Sequence, residues 1–259
     1  LSGRGAVAVY APGGKRLRLI DEDGIGMPND LALDPAGRLY VADSRADVVR
    51  VYDASGGPVL TIGEPGLMRF PSAVAVVADA GDILVDATAG NGFDTLFLAN
   101  LAGPHGRVYA FDIQSIALAR TQRRLESAGL SERVILIHQG HEALCEALPA
   151  VCRGRVAAVM FNLGYLPRGD KALVTRTGTT LAALEQAVVC LRPEGALAVI
   201  AYPGHPGGAG ETDAVARWFR NHDGLSPRLE VLDPDTPGAP CLYFSQTPAG
   251  DGSDDDDGG

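Results

Sequence analysis

The fold of this chain is decided by the stretch Val85-Asp86-Ala87-Thr88-Ala89-Gly90-Asn91-Gly92-Phe93-Asp94-Thr95. The pattern predicts an apolar strand that ends in a glycine-rich turn, followed directly by a helix. Gly90 and Gly92 can adopt backbone angles that other residues avoid, and without a Cβ they let a ligand approach the turn closely. The stretch therefore predicts the cofactor-binding turn of a Rossmann-like sheet.

A second predicted strand, Gly106-Arg107-Val108-Tyr109-Ala110-Phe111-Asp112, strengthens this interpretation. It ends in a carboxylate 20 residues after Gly92. At that distance an acidic residue usually binds the two ribose hydroxyls of a nucleotide cofactor. The alternative is a tight turn followed by an ordinary surface aspartate.

Length and composition allow a full hydrophobic core. The 259 residues are 46% hydrophobic, with a mean hydropathy of +0.07, which is enough for one large or two small domains. No apolar run reaches the roughly 18 residues of a membrane helix, and no leader is visible, so we expect a cytoplasmic protein without a membrane partner. Four scattered cysteines predict reduced thiols and no metal site.

The net charge of −10 is unevenly distributed. Residues 249–259 carry five aspartates and no basic residue, which leaves −5 for the rest of the chain. The acidity is therefore a weak argument against a nucleic-acid partner. We expect this segment to be a disordered acidic tail.

The first third of the chain contains an internal repeat. The segment Ala6–Tyr10 returns as Val48–Tyr52 after 42 residues, and Gly37–Asp43 matches Gly81–Val85. Short strands at a period in the low forties are typical of β-propeller blades, and the repeat resembles the NHL type. Closure needs about four blades or more. Residues 1–80 are therefore predicted to be an incomplete propeller: part of a longer one, a sheet that packs on its neighbour, or a remnant of a fusion.

Residues 81–248 alternate between strands and helices. Predicted strands lie near 82–87, 107–112, 133–138, 156–161 and 196–202, and predicted helices near 93–102, 114–128, 141–150, 178–191 and 211–222. Such alternation predicts a parallel sheet covered on both faces. Two final strands, near 228–232 and 241–246, should form an antiparallel hairpin at its edge. Seven strands ending in a hairpin are typical of a class I methyltransferase rather than a dinucleotide dehydrogenase.

The fourth strand of this sheet ends in Asn162-Leu163-Gly164-Tyr165-Leu166-Pro167. Strand four should lie beside strand one, at the switch point where ligands bind. An Asn followed by a turn and an aromatic residue resembles the Asn-Pro-Pro-Tyr element of amino-methylating enzymes, in which the amide oxygen and a backbone carbonyl accept hydrogen bonds from the substrate amine. The alternatives are an Asx turn for Asn162 and plain packing for Tyr165.

Together, these segments resemble the family labelled Putative rRNA methylase, which includes the tRNA 5-(aminomethyl)-2-thiouridine methyltransferases. The resemblance covers about residues 81–247. It rests on Asp86–Gly92, Phe111–Gln114, His141-Glu142, Phe161–Pro167, Asp170-Lys171, Thr179-Thr180 and Tyr202–His205. It implies S-adenosylmethionine as the methyl donor and, as the acceptor, the primary amine of a modified wobble uridine in the anticodon region of tRNA. Phe93 departs from the family, which usually has His there.

The resemblance also assigns a donor site. The set is Asp86, Ala87, Thr88, Gly90, Asn91, Gly92, Asp94, Thr95, Asp112, Ile113, Gln114, His141 and Glu142. In this assignment the turn and the start of the helix receive the methionine end, and Asp112 binds the ribose hydroxyls. Ile113 and Gln114 flank the adenine. His141 lines the adenine side, although a helix-capping or surface histidine is the alternative.

The acceptor side is assigned to a second group. Asn162, Tyr165 and His205 are the expected catalytic residues, and the expected substrate-binding residues are Leu163, Gly164, Asp170, Lys171, Arg176 and Tyr202. An ammonium has no lone pair, so the amine must lose a proton that His205 could accept. Ordering the loop or contacting phosphate are the alternatives for His205. Lys171 and Arg176 could contact phosphates, or be solvated surface charges.

The leading hypothesis is an S-adenosylmethionine-dependent N-methyltransferase that acts on tRNA. A binding module that has the same fold but has lost turnover is the second hypothesis. The third is a methyltransferase for rRNA or a small amine. The sequence leaves the oligomeric state open, with a homodimer among the alternatives.

Overall fold

The structure is a computed structural model that describes residues 6–10, 16–20, 25–26, 28–33, 38–43, 45–46, 48–62, 81–166, 173–222, 225, 228–231 and 238–249. The chain divides into two compact units, Leu1–Val76 and Val77–Gly259. Two predicted substrate-binding residues, Asp170 and Lys171, lie outside the described residues, as does the acidic segment from residue 250 onward.

The first unit contains two small antiparallel sheets. One pairs β1 (Val7–Tyr10) with β2 (Arg16–Ile20), and the other consists of β3 (Pro28–Leu33), β4 (Leu39–Asp43), β5 (Val48–Tyr52) and β6 (Pro58–Ile62) in chain order. Buried Asp43 accepts hydrogen bonds from the backbone N–H of Gly26 and from Arg50 Nε, both at 2.9 Å. Two sheets of this size do not support a propeller, so the NHL-type assignment stays a prediction from the repeat.

The second unit is built on a seven-stranded sheet. Its strands are β7 (Ile83–Asp86), β8 (Arg107–Phe111), β9 (Val134–Ile137), β10 (Val156–Asn162), β11 (Leu191–Ala201), β12 (Arg228–Val231) and β13 (Cys241–Gln246). Their spatial order is β12-β13-β11-β10-β7-β8-β9. The first five strands are parallel, and β13 runs antiparallel to both β11 and β12. This order confirms the predicted α/β fold, with β10 beside β7 and a hairpin at the carboxyl end.

Helices connect these strands. They are α1 (Phe93–Ala102), α2 (Ser115–Ala128), α3 (Leu144–Ala147), α4 (Thr177–Cys190) and α5 (Gly208–Asn221). The helix predicted at 141–150 is shorter, with a 3-10 turn at His141–Ala143 before the single turn of α3. It stops at Leu148, which is extended because Pro149 disfavours the helical conformation in the residue before it. Within the described part of the chain, no helix has the length and apolarity required to span a membrane.

The core of the second unit lies between the sheet and its helices. Val85, Val159 and Leu197 on the central strands are fully buried, as expected for strands covered on both faces. Trp218, the single tryptophan of the sequence, packs edge-to-face on Phe219 and donates its indole N–H to Glu185 Oε1 at 2.6 Å. This bond ties α5 to α4.

Candidate active site

The glycine-rich turn after β7 lies at the carboxyl ends of the parallel strands. Gly90 and Gly92 have φ values of 52° and 81°, the left-handed region that favours glycine. The backbone N–H of Ala89 donates to the Phe111 carbonyl at 2.8 Å, which holds the turn against the end of β8. The local sequence therefore forms the strand, turn and helix that its pattern predicted.

The two glycines of the turn have different neighbours. A Cβ on Gly92 would lie 2.8 Å from Thr121 Cα, so the missing side chain makes room for α2. A Cβ on Gly90 would meet Leu166 Cδ1 only at 3.6 Å, an ordinary contact. Close approach of a ligand, which the sequence attributed to both glycines, is thus compatible with Gly90, whereas Gly92 serves helix packing.

Arginines of α2 hold the far side of this turn. Arg120 donates to Asn91 Oδ1 at 3.1 Å, and Arg124 Nε donates to the Asn91 carbonyl at 3.0 Å. The Arg124 guanidinium also lies over the Phe93 ring, 3.6 Å from its centroid. Such cation–π contacts contribute about 0.5–2 kcal/mol, depending on desolvation. The turn is therefore held in place by α2 as well as by the sheet.

Asp112 follows β8 directly and faces the turn. Its Oδ2 accepts the backbone N–H of Gly90 at 2.9 Å, and its Oδ1 accepts that of Gln114 at 2.8 Å. Burial raises the pKa of Asp112, and these two hydrogen bonds counteract the rise. A carboxylate has about four lone-pair sites, so two bonds fix its orientation and leave acceptor capacity for a diol. The neighbouring Ile113 side chain is 53% exposed and leaves an open apolar surface beside it.

Two further carboxyl groups lie near this turn: Asp86 ends β7, and Asp94 belongs to the first turn of α1. Buried Asp86 accepts hydrogen bonds from the Thr88 backbone N–H and from Thr95 Oγ1. Burial, followed by the charge of Asp94, raises the pKa of Asp86 to about 7. Burial also raises the pKa of Asp94, opposed by its hydrogen bond with Asn162. A bound cation would favour the ionised forms of both groups.

Asn162 ends β10 and connects the donor turn with the acceptor side. Its backbone N–H donates to Thr88 Oγ1 at 2.7 Å, and its Nδ2 donates to Asp94 Oδ2 at 3.1 Å. The side-chain amide therefore bonds a residue 68 positions away rather than its own turn. This contact orients the amide group and does not use its oxygen.

Tyr202 and His205 lie on the loop after β11, opposite Asn162. Burial, followed by the charge of Asp94, raises the pKa of Tyr202 to about 12, and a hydrogen bond with the Asn162 side chain opposes this rise. His205 Nδ1 lies 3.0 Å from the Pro206 carbonyl. Because a carbonyl only accepts, this contact assigns the proton to Nδ1 and the lone pair to Nε2. The buried Nε2 atom has no hydrogen-bond partner in the part of the chain that is described.

Tyr165 stands at the rim of this loop. Its ring is 42% exposed and packs edge-to-face on His205, with 6.0 Å between centroids. An isolated β-bridge pairs it with Val174. Leu163 is buried, Gly164 lies against His205 and Tyr202, and Arg176 is exposed before α4.

His141 lies on the other side of the donor turn. It is 7% exposed, which excludes the surface alternative, and its ring packs edge-to-face on Phe161. Burial lowers the pKa of His141, while Glu142 and a hydrogen bond to the Ala87 backbone act in the opposite direction. Its Nε2 is buried and, among the described residues, lacks a hydrogen-bond partner. Because buried polar atoms are nearly always hydrogen-bonded, the Nε2 of His141 is a candidate ligand contact. The Glu142 side chain, by contrast, is exposed.

Sequence reasoning missed one buried group near the site. Glu211, at the start of α5, accepts hydrogen bonds from Thr175 Oγ1 and Thr180 Oγ1, both at 2.7 Å. Thr180 belongs to the segments that carry the family resemblance, but no role was assigned to it. A glutamate in a first helical turn is too common a pattern to have identified this group from the sequence.

Comparisons with known proteins identify relatives of this chain. One relative is a plant protein, the chloroplastic tRNA (mnm(5)s(2)U34)-methyltransferase of Arabidopsis thaliana. It is 42% identical to this chain over 179 residues, which cover 65% of this chain and 64% of the relative. The crystal structure of a putative rRNA methylase of Clostridium thermocellum is 38% identical with a TM-score of 0.63, covering 66% of this chain and 91% of that one. A putative methyltransferase of Streptococcus mutans, solved in complex with SAH, is 33% identical with a TM-score of 0.58, covering 66% and 91%.

This chain spans somewhat less than two thirds of the plant relative but nearly the whole clostridial chain. The Putative rRNA methylase family itself matches residues 108–228, from β8 to the start of β12. The fold is that of the class I methyltransferases, and the chain belongs to the Putative rRNA methylase family.

Proposed function

We propose that the second unit is an S-adenosylmethionine-dependent methyltransferase that methylates the aminomethyl group of a modified wobble uridine in tRNA. The main support for this methyl donor is a group of three carboxyl groups: Asp86, Asp94 and Asp112 surround the glycine turn, and burial raises the pKa of all three. Such a site favours a cationic ligand, and S-adenosylmethionine carries a sulfonium and an ammonium group. SAH, the demethylated product of that donor, is bound by the similar protein of Streptococcus mutans.

The residues fit this donor. The Asp112 carboxylate can accept hydrogen bonds from the ribose hydroxyls. We propose that His141, whose buried Nε2 has no partner among the described residues, lines the adenine side. Asp86 and Asp94 provide negative charge for the methionine ammonium at the start of α1. When bound, the donor supplies an electrophilic methyl group. Residues of this chain would orient the acceptor amine and remove its proton.

The acceptor chemistry follows from the loops after β10 and β11. Asp94 holds the amide nitrogen of Asn162, which leaves the amide oxygen to accept an N–H of the acceptor amine and to aim the nitrogen lone pair. The amine must be neutral to attack, because an ammonium has no lone pair. We propose that His205 Nε2 accepts the proton that the amine loses. We propose that the exposed Tyr165 ring contacts the acceptor base.

The choice of RNA rests on the name of the plant relative, which specifies tRNA, while the family name specifies rRNA. Exposed Arg176, and Lys171 outside the described residues, are proposed to contact phosphates. The cytoplasmic location stays a prediction, and the oligomeric state stays open.

Mass spectrometry of nucleosides tests this function directly. The full chain is incubated with S-adenosylmethionine and with tRNA that carries the unmethylated aminomethyl uridine; ribosomal RNA and a small primary amine serve as comparison substrates. We expect one methyl group on the aminomethyl nitrogen of the tRNA nucleoside. Transfer to ribosomal RNA alone would refute the tRNA assignment. Donor binding without transfer to any substrate would favour the binding module.

Donor affinity is expected to increase with pH up to about pH 7. The pKa of Asp86 is raised to about 7, so the group is largely protonated below that pH. A cationic donor favours the carboxylate, so binding releases a proton and tightens by up to about tenfold per pH unit below this pKa. Calorimetric titration from about pH 5.5 to about pH 8.5, in buffers of different ionisation enthalpy, measures the donor affinity and the number of protons released on binding. Asp86→Asn should flatten the profile, and an unchanged profile would contradict this assignment.

A further inference from the structure

Glu211 is a buried carboxylate that the proposed chemistry leaves without a role. Its side chain is 3% exposed, and its two oxygens accept hydrogen bonds from Thr175 Oγ1 and Thr180 Oγ1. Burying a carboxylate is costly unless hydrogen bonds compensate. These two hydroxyl donors and the first turn of α5, where the helix dipole favours negative charge, offset that cost. Glu211 therefore joins the starts of α4 and α5.

One of these bonds continues to the loop that carries Asn162 and Tyr165. Thr175 Oγ1 donates to Glu211 and accepts the backbone N–H of Gly164 at 2.9 Å. The Thr175 backbone N–H in turn donates to the Gly164 carbonyl at 2.9 Å. Gly164 has a φ of 122°, and a Cβ there would lie 3.6 Å from His205 Nε2. The Gly164 backbone is thus held close to the His205 ring.

The helix that carries Glu211 also packs against the opposite wall of the site. The Gly208 backbone N–H donates to the His205 carbonyl at 2.9 Å. A Cβ on Gly208 would collide with the Tyr202 carbonyl and lie 2.9 Å from the His205 ring. The loop from Tyr202 to His205 and the start of α5 therefore form one packed body. Glu211 connects that body to the loop after β10.

We propose that Glu211 is a positioning residue that acts through Thr175. Its carboxylate fixes the Gly164 backbone relative to the loop from Tyr202 to His205, and so sets the separation between Asn162, which orients the amine, and His205, which takes its proton. The inference rests on the function proposed above. Small displacements of reacting groups can cost about 100-fold in rate, so such a connection affects the transfer step more than donor binding.

The chain offers a matched pair of variants. Thr175→Val and Thr180→Val each remove one hydroxyl that bonds Glu211, with little change in side-chain volume, but only Thr175 also holds Gly164. We expect both variants to lower the thermal midpoint. Thr175→Val should slow single-turnover methyl transfer by about tenfold or more, with donor affinity unchanged, whereas Thr180→Val should retain the rate. Thr175→Ser keeps the hydroxyl and should therefore transfer the methyl group at the wild-type rate.

A double-mutant cycle tests whether Glu211 acts through Thr175. Glu211→Gln keeps the side-chain volume but removes the charge, and it should slow transfer on its own. Combined with Thr175→Val, it should add little further loss, because Glu211→Gln weakens, and Thr175→Val removes, the same hydrogen bond. Additive losses in rate, or equal slowing by Thr180→Val and Thr175→Val, would overturn the proposal and make Glu211 a purely structural group.

Amide hydrogen exchange at Gly164, followed by NMR, provides a readout that does not depend on activity. We expect faster exchange in Thr175→Val and in Glu211→Gln than in Thr180→Val. Unchanged exchange in Glu211→Gln would overturn the proposed link. If the wild-type chain transfers no methyl group to any RNA, the proposed function fails, while the exchange comparison still decides whether Glu211 holds the loop.

Discussion

Asp112→Ala is expected to weaken donor binding by about 100-fold or more. The carboxylate lies at the end of β8, held by the backbone of Gly90 and Gln114, with acceptor capacity left for two ribose hydroxyls. Each hydrogen bond to a charged group contributes about 1.5–3 kcal/mol, and about 1.4 kcal/mol corresponds to a tenfold change in affinity. Isothermal titration with S-adenosylmethionine measures the loss.

Asp82→Ala is the matched control for this variant. Asp82 lies before the amino end of β7 and pairs with Arg192 at 2.7 Å, so its removal deletes a carboxylate at the opposite end of the same sheet. Donor affinity should not change in this control. Asp112→Asn, which keeps an acceptor oxygen for the turn, separates loss of the ligand contact from loosening of the turn. Wild-type affinity in both Asp112 variants would remove Asp112 from the donor site.

Asn162→Ala is expected to slow methyl transfer by about 100-fold while donor affinity stays close to that of the wild type. Its proposed contact with the acceptor amine matters most as the nitrogen attacks, so the loss should appear in the rate constant rather than in ground-state binding. Misplacing the reacting groups slows a reaction by about the same factor. Single-turnover methylation of hypomodified tRNA, with donor titration and thermal melting of the same variant, separates the three effects.

Asn100→Ala provides the control for that change. Asn100 lies on α1, and its Nδ2 donates to the Leu96 carbonyl of the same helix at 2.9 Å. This variant should retain the wild-type transfer rate. A near-wild-type rate in Asn162→Ala would exclude Asn162 from the reaction and with it the main structural reason for an amine acceptor. Loss of thermal stability with a normal rate per folded molecule would make Asn162 a strand-ending residue.

The fold was predictable because its signals are local. The turn from Asp86 to Gly92 combines an apolar strand, positive-φ glycines and a helix within a few residues, and each feature restricts the backbone directly. The alternation of strands and helices then specified a parallel sheet, and the two final strands specified the hairpin. These predictions are confirmed. The proposed roles of Asp112 and His205 stay predictions.

The missed features depend on distant contacts. Glu211 meets Thr180 across 31 positions and Thr175 across 36, and nothing in the local pattern specifies those pairings. The packing of Gly92 against Thr121 likewise depends on where α2 lies on the sheet. The helix predicted at 141–150 is shorter because Pro149 disfavours the helical conformation at Leu148, a local effect that apolar periodicity does not include. In the first unit, the repeat indicated propeller blades, whereas the described residues form two small antiparallel sheets that do not support a propeller.

Because Trp218 is the single tryptophan and lies on α5 in the second unit, its indole emission reports on that unit alone. Excitation at the red edge of the indole absorption band avoids the tyrosines. A denaturation curve followed in this way then measures the loss of the sheet that carries the candidate site, while far-ultraviolet circular dichroism reports both units. A difference between the midpoints of the two curves would show that the units unfold independently.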